Sequence, residues 1–127
     1  MVKIQPVNTK AAPQAIGPYS QAVKISDLAF LSGQIPLDPE TMEIVSGGIE
    51  AQSHRVFQNL IAVIEACDAR VSDVIKLTIY LTDLSEFPTV NEIMAGYFNE
   101  PYPARATIEV SALPKGSLVE IDAIVAL

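Results

Sequence analysis

Residues 103–127, PARATIEVSALPKGSLVEIDAIVAL, alternate apolar and polar side chains in two successive runs, and that two-residue period restricts the end of the chain to paired strands. With 104–110 extended, Arg105, Thr107 and Glu109 share one face and Ala104, Ala106, Ile108 and Val110 the other. After a turn at Leu113-Pro114-Lys115-Gly116 the pattern returns. Glu120 and Asp122 then share one face, and Val119, Ile121, Ala123 and Val125 the opposite one. Both strands are expected to be half-buried, and Arg105 in such a strand calls for an anionic partner. An ion left unpaired in a low-dielectric site costs several kcal/mol. A structural salt bridge or an exposed side chain would meet that demand. So would a guanidinium fork gripping a ligand carboxylate or phosphate through two parallel hydrogen bonds.

The rest of the chain mixes both periods. Tyr19–Ile25 and Leu28–Ser32 alternate around a polar Ser26-Asp27 break, which predicts a hairpin, stopped at Gly33 and the proline-rich residues 35–39. Val56, Phe57, Leu60, Val63, Ile64 and Cys67 recur at three- and four-residue spacing within a helix over 49–69. Val74–Leu81 is the most strand-like run and is placed centrally in the sheet. Ser85 is expected to cap a second helix reaching about Asn99, with Pro88 in its first turn and Val90, Ile93, Met94, Tyr97 and Phe98 on its apolar face. The order is three strands, helix, strand, helix and two strands. It predicts one α+β domain over residues 1–127, with a sheet carrying both helices on one face. The other face needs cover, which points to a symmetric oligomer.

Charge narrows the function. With 15 Asp and Glu against eight Lys and Arg, the formal charge is −7 and no basic patch is visible, which argues against nucleic-acid binding. A small anionic substrate stays compatible, because charges beyond a Debye length of roughly 8 Å are screened while a close arginine contact is not. No apolar run approaches membrane-span length, so no membrane partner is expected. The N-terminal stretch lacks a signal-peptide core and Cys67 is the single cysteine, which together suggest a cytoplasmic setting.

Individual residues read two ways. Cys67 falls on the helical stripe and reads as packing. His54 is the only histidine, beside Arg55 on the first helix, and reads as a surface or edge residue; one histidine cannot form the paired acid and base of metal-free RNA cleavage. Gly47-Gly48 lacks the spacing of a phosphate loop and reads as a helix start. Tyr19, delivered by the Gly17-Pro18 turn, is either a core aromatic or a binding residue. Ser32-Gly33-Gln34 offers a hydroxyl and bare backbone to a ligand. Asn91 taken alone reads as a solvated helix residue. No metal-binding motif occurs, so no cofactor is expected.

Taken together, IGPYSQA (16–22), LSGQIPLDP (31–39), LTDLSEFPTVN (81–91) and PARATIEVSALPKGSLVEIDAIVAL (103–127) resemble the RidA family, also called YjgF, from about residue 8 to the end. The resemblance implies a chorismate-mutase-like α+β fold, a homotrimer and ligand clefts between subunits. It implies hydrolytic deamination of 2-enamine/2-imine acids, such as those released by PLP-dependent serine and threonine dehydratases, to 2-oxo acids and ammonia. In this resemblance Arg105 binds the substrate carboxylate, Glu120 is associated with the reacting water, and Tyr19, Ser32 and Asn91 fall at cleft positions. Thr107 is also assigned to substrate binding, through its main chain, although it is a departure, since many deaminating members have cysteine in a PARSCVEV-like run. The alternatives are a non-catalytic 2-oxo-acid sensor and, less favoured by the acidity and single histidine, an endoribonuclease that inhibits translation.

Overall fold

The computed structural model describes residues 2–127. Strands β1 (Gln5–Val7), β2 (Ala22–Ile25) and β3 (Leu28–Gln34) precede helix α1 (Gly48–Ala66), then β4 (Val74–Leu81), helix α2 (Phe87–Tyr97), β5 (Ala104–Glu109) and β6 (Val119–Ala126). The element order is the expected one, and β4 has the expected bounds. The six strands form one sheet in the order β1-β2-β3-β6-β4-β5, antiparallel throughout except for the parallel β4–β5 pair. That parallel pair requires a crossover, and α2 supplies it. β4 is therefore interior but one strand from the edge, and β3 and β6 hold the middle.

Register divides the sheet into two faces. On one, the rows Ala22-Leu31-Ala123-Leu77-Arg105, Gln34-Ile121-Ile79-Thr107 and Val119-Leu81-Glu109 run across the strands. Their interior members are buried and meet Val56, Phe57, Leu60, Val63 and Ile64 of α1 and Val90 and Met94 of α2. Each fully buried Leu or Ile stabilises by about 2 kcal/mol relative to exposure. On the other face run Val23-Phe30-Ile124-Lys76-Ala104, Asp122-Thr78-Ala106 and Glu120-Tyr80-Ile108. Among the described residues no helix covers that face, and Phe30 and Ile108 stand 41 % and 46 % exposed on it.

Several boundaries differ from the sequence reading. β5 is exposed along nearly its whole length rather than half-buried, because it is an edge strand whose apolar side chains point to the uncovered face. β2 begins at Ala22 rather than Tyr19, since residues 19–21 follow a tight turn in which Tyr19 N–H donates to Gly17 O. α1 stops at Ala66, where Asp68 turns left-handed (φ 60°) and the N–H groups of Asp68 and Ala69 return to Glu65 O and Ile64 O. α2 is not capped by Ser85. Asp83 accepts from both Ser85 N–H and Ser85 Oγ–H, opening a 3₁₀ turn that feeds the helix at Phe87. The helix ends at Tyr97 because Phe98 is extended and drops into the core.

Candidate functional site

Arg105 stands at the edge of the helix-covered face, beside α2. Its Nη1 donates to Asn91 Oδ1 at 2.6 Å and lies 3.6 Å from Met94 Sδ, while the guanidinium carbon sits 4.9 Å above the Phe87 ring. Phe87, Asn91 and Met94 are spaced i, i+4, i+7 and so share one helix face. An aromatic plane, an amide and a thioether thus fix the fork without neutralising it. Among the described residues no carboxylate pairs with Arg105, and Glu109, next along the same strand face but one, is engaged with Leu84 N–H. The salt-bridge reading of Arg105 falls. What remains is the exposed side chain that the sequence also allowed, an unpaired cation beside a cleft of about 420 Å³ lined by Asn91, Met94, Ala95, Tyr102, Pro103 and Arg105.

Glu120 lies on the opposite face of the sheet, two strands across from β5 (~10 Å) and opposite Ile108, three residues along from Arg105 (~10 Å). A bulge between Leu31 and Gln34 brings Ser32 and Gly33 of β3 up to it. Bare backbone at Gly33 makes room for the glutamate: a Cβ there would lie 2.9 Å from Glu120 Cδ and displace the carboxylate. Ser32 Oγ–H donates to Ser20 O at 2.6 Å, which leaves its oxygen able to accept from another group. Tyr19, half-exposed, joins Ser32, Gly33, Gln34 and Glu120 around a second cleft of about 390 Å³, with Ile16, Ile35 and Leu37 supplying apolar wall.

The six candidate residues therefore fall into two groups. Arg105, Asn91 and Thr107 lie on one face; Tyr19, Ser32 and Glu120 lie on the other. A single chain does not bring them to one small molecule. Phe87 and Met94 are the contacts the sequence reading did not assign to Arg105, although their spacing with Asn91 was the available signal.

Burial raises the Glu120 carboxyl above its ordinary pKa, and the negative charge of Asp122, two residues on and on the same face, raises it further. Asp122 is in turn held by the Tyr80 hydroxyl, which donates to its Oδ2 at 2.9 Å. If catalysis requires ionised Glu120, the acid limb of a kcat/KM profile lies above the usual carboxylate value. Asp122→Asn removes the like charge, favours the ionised form and moves that limb to lower pH; an unmoved limb would remove Asp122 from the control of Glu120.

Thr107 follows Arg105 on the helix-covered face, and its Oγ1 is buried without a hydrogen-bond partner among the described residues. Such an orphan costs about 1 kcal/mol or more. Thr107→Val is expected to stabilise the protein by about 1 kcal/mol, measured as a higher Tm. A lower Tm would show that the hydroxyl acquires a partner in the assembled protein.

The remaining candidates lie elsewhere. His54 Nδ1 is 2.8 Å from Tyr97 Oη, and this pair ties α1 to α2 on the outer helical layer, away from Glu120. Cys67 is buried, and desolvation pushes its thiol above the ordinary value despite the Lys24 charge, which fits packing rather than reactivity. Among the described residues no group of three His, Cys, Asp or Glu side chains could hold a metal ion, and no helix is long and apolar enough to cross a membrane.

Comparison with known proteins shows the family of the chain. The family model described as Endoribonuclease L-PSP matches residues 9–127. The chain belongs to this family, the RidA or YjgF family. It is 44% identical over 121 residues to a 2-iminobutanoate/2-iminopropanoate deaminase of Dermatophagoides farinae, covering 95% of this chain and 94% of that one. The crystal structure of RidA from the Antarctic bacterium Psychrobacter superposes with a TM-score of 0.94 at 47% identity, covering 97% of this chain and 99% of that one. A structure of Escherichia coli TdcF with bound serine superposes at 0.92 with 39% identity, covering 97% and 98%. Family membership accounts for the α+β architecture, and the names borne by relatives in this family are mixed.

Proposed function

We propose that this RidA-family protein hydrolyses 2-imino acids, formed directly or by tautomerisation of 2-enamine acids, to 2-oxo acids and ammonia, and that it does so as a homotrimer with the reacting group between subunits. The observation that carries the reading is the pairing of an unneutralised, oriented Arg105 with a cleft whose carboxyl, Glu120, has a raised pKa, on opposite faces of one sheet. A head-to-tail contact between copies sets one chain's Arg105 cleft against the next chain's Glu120 cleft, and closing the ring gives one complete site per interface. The uncovered face, with Phe30, Ile108, Ala104 and Ala106, supplies apolar surface for that contact.

In such a site Arg105 grips the substrate carboxylate in the fork geometry, and Asn91 keeps the fork aimed. Tyr19, Ser32 and the Thr107 main chain complete the cleft around the imine. Glu120 accepts a proton from water as the water oxygen attacks C2, forming the carbinolamine. It returns that proton to the nitrogen, completing the neutral carbinolamine, then takes the hydroxyl proton as C2=O forms and delivers it to the nitrogen as the C2–N bond breaks, leaving the 2-oxo acid and ammonia. Imines hydrolyse in water already, so orientation and proton transfer are the services required, and no cofactor enters the scheme. The deaminase named in D. farinae and the serine bound to TdcF support a small amino-acid-like ligand with a carboxylate. The net charge of −7 and the removal of His54 from both clefts weigh against RNA as the substrate.

The test couples a PLP-dependent threonine or serine dehydratase to the purified protein with semicarbazide present to trap free imine. Faster oxo-acid release and less trapped semicarbazone are expected. Binding of 2-oxobutanoate without any acceleration would replace the enzyme with a sensor of 2-oxo acids.

A further inference from the structure

Gln21 has no task in that scheme, yet it is 2 % exposed and its carboxamide is fully used. Its Oε1 accepts from Thr9 N–H at 2.7 Å; its Nε2 donates to Pro13 O at 2.7 Å and Thr9 O at 3.1 Å and lies 3.4 Å from Ala12 O. All four partners belong to one segment. Residues 8–21, between β1 and β2, have no helix or strand of their own, although Ala12 and Pro13 are buried. Buried backbone of this kind needs partners, and a glutamine supplies an acceptor and a two-hydrogen donor side by side, as a peptide group does.

The same residue reaches the other side of the cleft. Gln21 O accepts from Ser32 N–H at 2.9 Å, and Ser32 Oγ–H donates to the preceding Ser20 O. Gln21 is therefore the junction between the 9–13 strap and the β3 bulge. Pro13, Gln14, Ile16 and Tyr19 of the segment between β1 and β2 line the Glu120 cleft together with Ser32, Gly33 and Gln34 of β3. Glu120 itself is carried by β6 and does not depend on the strap.

We infer that Gln21 is a positioning residue that sets the strap wall, and with it Tyr19, at the distance from Ser32 and Glu120 that a 2-imino or 2-oxo acid requires. This rests on the deaminase reading. Because Gln21 acts on the wall and not on the reacting carboxyl, it governs ligand affinity more than the chemical step.

The test compares full-length wild type, Gln21→Leu and Gln21→Glu for kcat and KM in the dehydratase-coupled assay, Kd for 2-oxobutanoate by calorimetry, and Tm. Gln21→Leu is expected to raise KM and Kd about tenfold, with kcat within about threefold of wild type. Gln21→Glu distinguishes positioning from bulk stability. Ionised, its carboxylate faces three carbonyl oxygens; protonated, it can again donate to Pro13 O. Its KM and Kd, each relative to wild type at the same pH, are therefore expected to recover as pH falls, whereas those of Gln21→Leu stay flat. A lower Tm with KM and Kd unchanged in both variants would overturn the inference. Should Gln21→Leu fail to fold, a pH-independent Gln21→Glu would overturn it as well. A wild type that binds 2-oxobutanoate without accelerating the reaction ends the deaminase reading, and the Kd series still judges Gln21. A wild type that neither binds nor turns over overturns both.

Discussion

Arg105→Ala is expected to lower kcat/KM for imine hydrolysis by about 10³-fold while leaving the fold intact. A fork–carboxylate contact in a partly desolvated cleft is worth about 4 kcal/mol, and each 1.36 kcal/mol is a factor of ten. The structural cost is small by comparison. Arg105 is exposed, and its contacts with Asn91, Met94 and Phe87 amount to one hydrogen bond, one weak sulfur contact and one cation–π contact. Removing them changes stability by about 1 kcal/mol. Arg105→Lys is expected to restore less than about a tenth of the lost rate, because an ammonium cannot match two carboxylate oxygens or lie flat on Phe87. Steady-state kinetics of both variants, with light scattering to verify the oligomer, checks this. Turnover by Arg105→Ala within tenfold of wild type would remove the carboxylate clamp from the mechanism.

The second large effect is complementation. Arg105→Ala and Glu120→Gln are each expected to be nearly inactive alone, since every cleft then lacks one of its two groups. Co-expressed and assembled at random, the two variants are expected to recover about a quarter of wild-type activity. That fraction follows because a head-to-tail interface takes Arg105 from one copy and Glu120 from the next, and each is intact half the time. If both groups acted within one chain, mixing would restore nothing. The opposite faces of the sheet make the first outcome the expected one, and a protein that is monomeric in solution would exclude it.

Alternation and helical spacing made the architecture legible in this sequence. The stripe from Val56 to Cys67 and the alternation from Val119 to Val125 bury as expected, because each period maps directly onto one face of a regular element. The cap of α2 was less legible: Asp83 and Ser85 are both good capping residues, and only the extended backbone at Asp83, followed by the 3₁₀ turn, selects between them. β5 misled for a different reason. Its alternation is real, but an edge position leaves both of its faces exposed in the single chain.

The candidate site was legible as a set of residues but not as a place. The residues themselves determine that Arg105 shares a strand face with Thr107 and Glu109, and that Glu120 shares one with Asp122, because the side-chain period within a strand is two. Nothing in a one-dimensional pattern says which face of one strand lies level with which face of another. That depends on strand order and register, and here the antiparallel β4–β6 pair and the parallel β4–β5 pair put Arg105 with the helices and Glu120 on the uncovered side. The same holds for Gln21, whose four strap contacts span eight to twelve residues of chain and exist only because the chain returns to pair β2 with β1. Local periodicity settled the elements; long-range hydrogen-bond pairing decided that Arg105 and Glu120 lie on opposite faces of one sheet.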